Sequence, residues 1–380
     1  MKTTRQGYGS KILSSIIGAI IGVVLFLGSF VVLYLNEGRE NIGAIANDAV
    51  SITQEEHNLE AGTLISLQGN LEAETYAADE FLQDGNYIIL YRTVEMYAYV
   101  ESEHSQTEDN LGGSSTTITT YSYSQKWTTS PKLASNFEGD STELPQNIPA
   151  EYDQWISGMP NAATSKAQTL SMGRYSIGSG LNFSGEKRLA LTTDIADTSS
   201  LDNSLISSNY IYKGNAGEIS TTPKLGDIRI SYNYIDASDS GVILGAIEND
   251  SITSFITPKN NKLLRFFAEA SSREEAISIL EREHNTMTWI LRLVGWLLMF
   301  VGLIAMTGPV TKFLSVVPFF SRISGFIFGV AAFFISLILT GITIGLSMIL
   351  HNFWLAMAFV ILLIIIVITV ISRKRAKAQE

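Results

Sequence analysis

Side chains suited to binding a metal ion occur at two places in the chain. Each place brings one histidine beside two carboxylates, a donor set that zinc accepts: Glu101, Glu103 and His104, and Glu281, Glu283 and His284. Runs of adjacent charges are more typical of a solvated face than of a metal site. We therefore predict no metal site and interpret both groups as exposed surface.

Signatures of catalysis and cofactor binding are missing from the sequence. The chain has no cysteine, which excludes a thiol nucleophile, a disulfide framework and cysteine-ligated zinc. It has no Walker loop, no HExxH pair and no nucleophile elbow, and Gly178-Ser179-Gly180 lacks the third glycine of a dinucleotide fingerprint. The sequence therefore predicts no catalytic residue and no cofactor, and it favours a protein other than an enzyme.

Charged residues beside apolar runs form the remaining candidate site. Arg292 is the only formal charge inside such a run, and it lies about one turn from the outer end, so we expect its long stem to reach the lipid headgroups. The segment Asn36-Glu37-Gly38-Arg39 directly follows the first run. Charges at that depth are costly unless paired, so we predict partners for Glu37 and Arg39 and a backbone bend at Gly38. The alternative is an ordinary solvated flank.

The first apolar run is long enough to cross a membrane. Ile12 to Leu35 contains 24 residues without a formal charge, and at about 1.5 Å per residue it exceeds a hydrocarbon core of about 30 Å. A cleaved signal peptide is the alternative, but its apolar region would be about 7 to 15 residues long. The first Ala-x-Ala, at Ala44 and Ala46, also lies well past Leu35. The run therefore predicts a transmembrane helix.

Three more apolar runs lie close together near the C-terminus. Only His351 and Asn352 separate the last two, which predicts a tight antiparallel hairpin. The predicted segments are a tail 1–11, a helix 12–35, an outer segment 36–286, a helix 287–306, a connection 307–322, helices 323–350 and 353–372, and a tail 373–380.

The distribution of charge predicts the orientation in the membrane. The two tails and the 307–322 connection carry nine basic residues against one acid, Glu380, whereas the 36–286 segment holds 16 basic and 36 acidic side chains. Short cytoplasmic segments carry an excess of Lys and Arg. We therefore expect both termini in the cytoplasm and the acidic segment outside. The acidic excess also argues against a nucleic-acid partner.

Small residues spaced four apart in the predicted helices suggest how the helices pack. Such spacing lets two backbones approach closely, although glycine is also simply common in membrane helices. Two pairs lie on opposite sides of the third helix, which predicts a neighbour on each side. The candidate packing residues are Gly18 and Gly22 in the first helix and Gly325, Gly329, Gly341 and Gly345 in the third.

Alternation of apolar and polar residues predicts β structure in the outer segment. Three stretches alternate over at least eight residues, as half-buried strands do: 94–101, 117–127 and 226–234. Gly112-Gly113-Ser114-Ser115 fits the loop of a hairpin between the first two, within a polar stretch from Ser102 to Ser115. The predicted fold class is an α+β membrane protein with four transmembrane helices, one N-terminal and three C-terminal, and a large β-rich extracytoplasmic domain.

Helical patterns continue from two of the spans into the outer segment. Ser272 and Glu275 have the spacing of a capping box, which predicts that the second membrane helix begins well before residue 287. Ile42, Ile45 and Ala46 are spaced to continue a helical face after the first span. The sequence thus predicts two helical connections between the membrane and the outer domain.

Five short signatures occur in order along the chain: Asn36-Glu37-Gly38-Arg39, Val94-Glu95-Met96-Tyr97 with Val100-Glu101, Tyr121-Ser122-Tyr123 with Trp127, Gly226-Asp227-Ile228-Arg229-Ile230-Ser231-Tyr232, and Leu291-Arg292 with Gly295-Trp296 and Met299-Phe300. Together they resemble the LUMA family of four-pass membrane proteins. The resemblance implies a lumenal or extracytoplasmic domain, a membrane-organising role and self-association. The family offers no catalytic residues to transfer. The missing cysteines and the short N-terminal tail look more like a prokaryotic relative, which would remove the nuclear-envelope partners of the animal proteins.

Three functions are compatible with these features. The first is a membrane scaffold or assembly protein that self-associates, contacts the bilayer and other membrane proteins, and presents an acidic outer domain. The second is a membrane-apposed enzyme or lipid-handling chamber at the outer headgroup level. A channel or transporter is disfavoured, because the spans hold almost no ionisable groups. We expect a bacterial inner membrane as the location, or the endoplasmic reticulum and inner nuclear membrane if the source is eukaryotic.

Overall fold

The computed structural model describes residues 2–54, 59–110, 114–207, 209–215, 222–314, 318–352, 354, 356–359, 361 and 365. These residues combine three long apolar helices with a large β-rich region. They form two compact units, one built mainly from residues 41–106 and 118–281 and the other from 3–40, 107–117 and 282–380. The predicted mixed α and β composition is therefore confirmed.

The first unit contains the central strands of a sheet whose described registers are antiparallel. Its strands are β1 (Lys2–Gln6), β5 (Tyr87–Asp109), β6 (Ser115–Thr128), β7 (Ala163–Lys166), β11 (Lys187–Arg188), β12 (Ser204–Ser207), β13 (Tyr210–Lys213) and β14 (Ile228–Asp236). The strand order is β1-β6-β5-β14-β13-β12, with β7 beside β5 and β11 beside β14. β1 and the end of the β5–β6 hairpin, residues 107–117, fall in the second unit apart from Lys2.

The three predicted strands correspond to β5, β6 and β14. The hairpin is longer than predicted, because most of the polar 102–115 stretch forms strand rather than loop. Hydroxyl pairs join the two strands there, with 2.9 Å between Ser105 Oγ and Thr119 Oγ1 and 2.8 Å between Thr107 Oγ1 and Thr117 Oγ1. Cross-strand threonine and serine pairs of this kind stabilise a ribbon without an apolar face.

A second sheet completes the β structure of the first unit. Its strands are β2 (Val50–Ile52), β3 (Leu64–Asn70), β4 (Glu72–Thr75), β8 (Gln168–Met172), β9 (Tyr175–Ile177), β10 (Asn182–Ser184), β15 (Ser240–Glu248), β16 (Ser251–Thr253) and β19 (Arg265–Phe267). They run in the order β10-β19-β15-β16-β9-β8-β4, and β3 pairs with both β15 and β2. A separate ribbon pairs β17 (Phe255–Ile256) with β18 (Lys262–Leu263).

Alternate residues of the strands feed two apolar cores. Val94, Met96, Ile228 and Ile230 point into one core, which the 3₁₀ turn Ala134–Asn136 and helix α3 (Tyr152–Ser157) also border. Residues at the opposite end of the same strands, such as Ile89, join the second sheet in another core. Ile89 lies on the face of the first sheet that also carries Glu95 and Arg229, but Glu95 and Arg229 themselves belong to neither apolar cluster.

Two helical segments of the first unit share a third core. Helix α4 begins at Arg273, where the Glu275 amide donates to Ser272 Oγ at 3.2 Å, as the capping pattern predicts. Its first turns pack with helix α2 (Ile42–Ala46). The helical face predicted after the first span lies in α2, which is a separate helix because α1 (Tyr8–Glu37) ends before it.

The described residues include three helices that are long and apolar enough to cross a membrane, and most of their length lies in the second unit. They are α1 (Tyr8–Glu37), α4 (Arg273–Leu314) and α5 (Pro318–His351). Each extends beyond the predicted span, since the ends of a membrane helix continue as helix outside the apolar core. The predicted fourth helix, 353–372, and the 373–380 tail lie almost entirely outside the described residues, so the count of four is not confirmed.

Candidate functional site

Polar side chains from three helices of the second unit meet at the C-terminal end of α1. The helix ends at Glu37, and the amide of its capping residue, Gly38, donates to the Tyr34 carbonyl at 3.3 Å. The participating residues are Asn36, Glu37 and Arg39 from α1 and its end, His284, Thr288 and Arg292 from α4, and Ser347 and His351 from α5. We call this set the interfacial cluster.

Glu37 and Arg292 form the ion pair at the centre of the cluster. Arg292 Nε donates to Glu37 Oε1 at 2.7 Å and Arg292 Nη2 donates to Oε2 at 2.8 Å, a parallel bidentate geometry. The two side chains are only 16% and 5% exposed, and the guanidinium lies 4.9 Å from the ring centroid of Trp289. Arg292 therefore does not reach towards the headgroups, as the sequence suggested, because a buried carboxylate partner is available within hydrogen-bonding distance.

Arg39 uses different partners, all on one turn of α4. Its Nη2 donates to the His284 carbonyl at 2.7 Å and to Thr288 Oγ1 at 3.0 Å. The side-chain amide of Asn36 donates to the Thr288 carbonyl at 3.1 Å. Arg39 and Glu37 thus each have a partner, but they are not partners of each other. The end of α1 therefore binds α4 at two positions, at Arg292 through Glu37 and at residues 284–288 through Asn36 and Arg39.

Gly38 lies where α5 comes closest to α1. A Cβ atom on Gly38 would overlap the imidazole of His351, so no larger residue fits without displacing that ring. The imidazole lies 4.4 Å from the ring of Tyr34, and its Nδ1 is 2.9 Å from the Ser347 carbonyl. Ser347 Oγ in turn donates to the Tyr34 carbonyl at 3.2 Å. The reason for glycine here is therefore close approach of a neighbouring helix, since its φ of -88° is open to any residue.

Two buried atoms of the cluster have no hydrogen-bond partner among the described residues. They are Asn36 Oδ1, an acceptor, and Arg39 Nε, a donor. Buried polar atoms are normally paired, so each of these two atoms can form one more hydrogen bond. The ionised groups of the cluster are otherwise engaged with protein atoms.

The two groups first considered as metal ligands are used in other ways. Glu101 accepts hydrogen bonds from Lys132 Nζ at 2.5 Å and from the Tyr123 hydroxyl at 2.7 Å. Burial alone would raise the pKa of Glu101, but the hydrogen bonds from Lys132 and Tyr123 hold that pKa below its ordinary value. Burial and the bond to Glu101 raise the pKa of Tyr123 to about 12. In the other group, the carbonyl of His284 accepts from Arg39.

The predicted packing glycines divide into two sets. A Cβ on Gly22 would lie 2.8 Å from the Gly302 carbonyl oxygen, and one on Gly302 would lie 2.8 Å from that of Gly22, so α1 and α4 cross in close contact at these residues. At four other glycines, an added Cβ meets no atom of the described residues within 4 Å, so close packing there stays a prediction: Gly18, Gly329, Gly341 and Gly345. Gly325 lies where side-chain surroundings are not described. Spacing alone cannot identify which side of a helix has a neighbour.

Comparison with known proteins decides the family. A family model described as transmembrane protein 43 matches residues 96–353, more than half of the chain. The chain belongs to the transmembrane protein 43 family. The LUMA resemblance is therefore confirmed, and four of its five signatures fall wholly or mainly within the matched residues. The remaining signature, Asn36-Glu37-Gly38-Arg39, supplies three of the eight residues of the interfacial cluster.

Relatives within the transmembrane protein 43 family are similar along nearly the whole chain. The human protein is 25% identical over 100% of this chain and 96% of its own length, and the mouse protein is 25% identical over 96% and 91%. A fruit-fly homologue is 25% identical over 75% of each chain. These relatives are animal proteins and give no support to the expectation of a prokaryotic relative. No solved structure matches the chain.

Several residues of the cluster were not found from the sequence. His284 was considered only as a metal ligand and His351 only as part of a predicted hairpin, and no pattern singled out Thr288 or Ser347. One signal for the ion pair was available. A carboxylate at the end of a span needs a cation as its partner, and Arg292 is the single charge inside a span.

Proposed function

We propose that this member of the transmembrane protein 43 family is a multipass membrane scaffold that presents an acidic domain on the extracytoplasmic side. The observation that carries the proposal is the interfacial cluster, in which the ionised groups bind one another and the backbone. Glu37 and Arg292 neutralise each other with two short hydrogen bonds. Such groups brace helices, whereas a catalytic acid or base has to remain free to exchange a proton with its substrate.

The acidic domain supports the same proposal. Residues 36–286 carry 36 acidic and 16 basic side chains, and a net charge of that size suppresses non-specific association while leaving room for specific contacts. A scaffold needs a stable fold with defined surfaces rather than a reactive centre. The described residues hold no group of three or more metal-ligating side chains.

The scaffold proposal is tested by the size and content of the complexes that the full chain forms. The chain would be extracted with its native lipids in polymer discs and analysed by native electrophoresis and mass spectrometry. We expect complexes larger than the monomer that contain this chain and other membrane proteins in fixed ratios. Recovery of the monomer alone, from discs large enough to hold several chains, would contradict the proposal.

Orientation is part of the proposal and is tested separately. Reporter fusions at the N-terminus and at Glu380 should give the cytoplasmic signal, and a reporter between Ser102 and Ser115 should give the opposite one. The N-terminal fusion is informative because two observations disagree about the tail. In the strand order, β1 of the tail lies beside β6 of the hairpin, whereas the charge bias assigns the tail and the hairpin to opposite sides of the membrane. An outside signal from the N-terminal fusion would contradict the predicted orientation.

A second candidate function is binding of a lipid headgroup at the interfacial cluster. The two unpaired atoms, Asn36 Oδ1 and Arg39 Nε, favour it, because a phosphate-bearing headgroup with a hydroxyl or amine offers both an acceptor and a donor. Mass spectrometry of co-purified lipid would test it. Loss of one lipid class in Arg39→Gln, with the protein still folded, would support a headgroup site, and an unchanged lipid profile would exclude it.

A further inference from the structure

The first sheet carries a layer of aromatic rings on the face turned away from the core that contains Ile228 and Ile230. Tyr97 of β5 and Trp127 of β6 meet with their centroids 5.5 Å apart. Trp127 lies 6.1 Å from Tyr212 of β13, which lies 5.6 Å from Tyr210. Four rings from three strands therefore form one continuous surface. We call them, with the two arginines described next, the aromatic–arginine face.

Two guanidinium groups lie on these rings. Arg229 is 4.5 Å from the Trp127 ring centroid and 4.7 Å from that of Tyr210, and it donates two hydrogen bonds to Glu95 at 2.7 and 3.0 Å. Arg188 of β11 lies 4.8 Å from the same Tyr210 ring. Cation–π contact holds a guanidinium in place without neutralising its charge. Tyr210 thus positions both arginines.

Arg188 differs from Arg229 in having no carboxylate partner among the residues that the structure describes. Its side chain is exposed, and it makes no ion pair there. A planar guanidinium that is already fixed in position loses little freedom when it binds a carboxylate in the bidentate mode. Arg188 is therefore a cation that is already held in position for a carboxylate, on a domain whose net charge is strongly negative.

The composition of the face is that of a protein-binding surface. Trp, Tyr and Arg are enriched at the centres of protein interfaces, where they supply most of the binding energy. None of the four rings belongs to an apolar core of the first unit. Leu205 of β12 pairs with Tyr212 in the strand register and is 48% exposed, so its side chain extends the face. A sugar would need open ring faces, but guanidinium groups already cover Trp127 and Tyr210.

We propose that the aromatic–arginine face docks an extended, acidic segment of a partner protein. A partner carboxylate pairs with Arg188, and apolar side chains of the segment cover the rings and Leu205. The antiparallel strands of this face suit an extended chain, because alternate side chains of such a segment all face the same surface. This proposal rests on the scaffold function and names the class of partner that the domain would hold.

The test measures binding of a synthetic peptide to the full chain in phosphatidylcholine nanodiscs. The probe alternates glutamate with leucine, and a matched peptide alternates lysine with leucine. Fluorescence anisotropy of the labelled peptides would be recorded against loaded discs and against empty discs. We expect binding of the acidic peptide to loaded discs alone. Equal binding of both peptides, or of neither, would overturn the proposal.

Two variants locate the binding to this face. Arg188→Gln removes an exposed charge without touching the core, and we expect it to weaken binding about tenfold, as for loss of one desolvated ion-pair partner. The control is Arg174→Gln, which removes an arginine that also stacks on a tyrosine, Tyr175, but already pairs with Asp250. Binding should be unchanged in the control. Wild-type affinity in Arg188→Gln, or equal loss in both variants, would overturn the proposal.

Self-association is an outcome that the same variants distinguish. If Arg188→Gln breaks complexes of this chain into monomers while the acidic peptide fails to bind the wild type, a second copy occupies the face and the proposal of a separate partner is wrong. If native complexes persist unchanged in Arg188→Gln and the peptide does not bind, this surface is not the contact. The scaffold function would then stand on other surfaces.

Discussion

Breaking the Glu37–Arg292 pair from one side should destabilise the protein more than removing both charges. Arg292→Gln leaves the Glu37 carboxylate, 5% exposed, without its cation. Glu37→Gln leaves the guanidinium beside an amide that can accept a hydrogen bond from it but cannot neutralise its charge. In the double variant, the two amides can exchange hydrogen bonds across the same distance, so no buried charge remains.

The size of the effect follows from the geometry. Charges about 4 Å apart at an effective dielectric constant of about 20 attract by about 4 kcal/mol, and desolvation offsets part of this. Removing one partner of a buried pair typically costs about 3 to 5 kcal/mol. Since Arg292 keeps some exposure, we expect about 3 kcal/mol for Arg292→Gln. We expect about 1 to 2 kcal/mol for the double variant, because only the net value of the pair is lost.

The assay is a double-mutant cycle on the free energy of unfolding in lipid nanodiscs or mixed micelles. The matched control pairs Glu37→Gln with Arg39→Gln, because Arg39 binds the His284 carbonyl and Thr288 instead of Glu37. We expect strong coupling for Glu37 with Arg292 and additivity within about 0.5 kcal/mol for Glu37 with Arg39. Additive effects in the first cycle would refute the assignment of the ion pair.

Three further predictions concern single positions. Gly22→Val should destabilise the helices by about 1 to 3 kcal/mol, because the new side chain meets backbone that cannot move away, and equal loss in Gly18→Val, where space is open, would contradict this. Gly38→Ala should destabilise by displacing His351, and thermal unfolding should show most of that loss disappearing when His351→Ala is also present. The pKa of Glu101 is held below its ordinary value of 4.5, so its contribution to stability is present above that value and is lost as pH falls through the folded pKa. The difference in melting temperature between wild type and Glu101→Gln should therefore shrink on acidification, and a constant difference would argue against the contact with Lys132.

Local patterns in the sequence were enough to predict several elements of the fold. Alternation over 94–101 and 226–234 identified β5 and β14, because one face of each strand is buried and the side-chain period is two. The spacing of Ser272 and Glu275 identified the start of α4 far ahead of its apolar run. The length of the hairpin was missed, since strands held by threonine pairs are polar on both faces.

Contacts between distant segments were beyond what one sequence can provide. The sequence marked Glu37 and Arg292 as unusual but not as partners, because 255 positions separate them and nothing local encodes which helices meet. The same limit explains the glycines. Gly22 and Gly341 look alike in spacing, yet only Gly22 faces a neighbouring backbone within the described chain.

The sequence separation of the Glu37–Arg292 pair has a consequence for biosynthesis. Helix α1 is made first, and 255 residues must follow before its cation exists. At about 5 to 20 residues per second, this takes about 13 to 50 s. During that time Glu37 lies at the end of a membrane helix without its cation, while the β-rich domain is translated. Of the three helices that form the cluster, α5 is made last, and it brings His351 against Gly38.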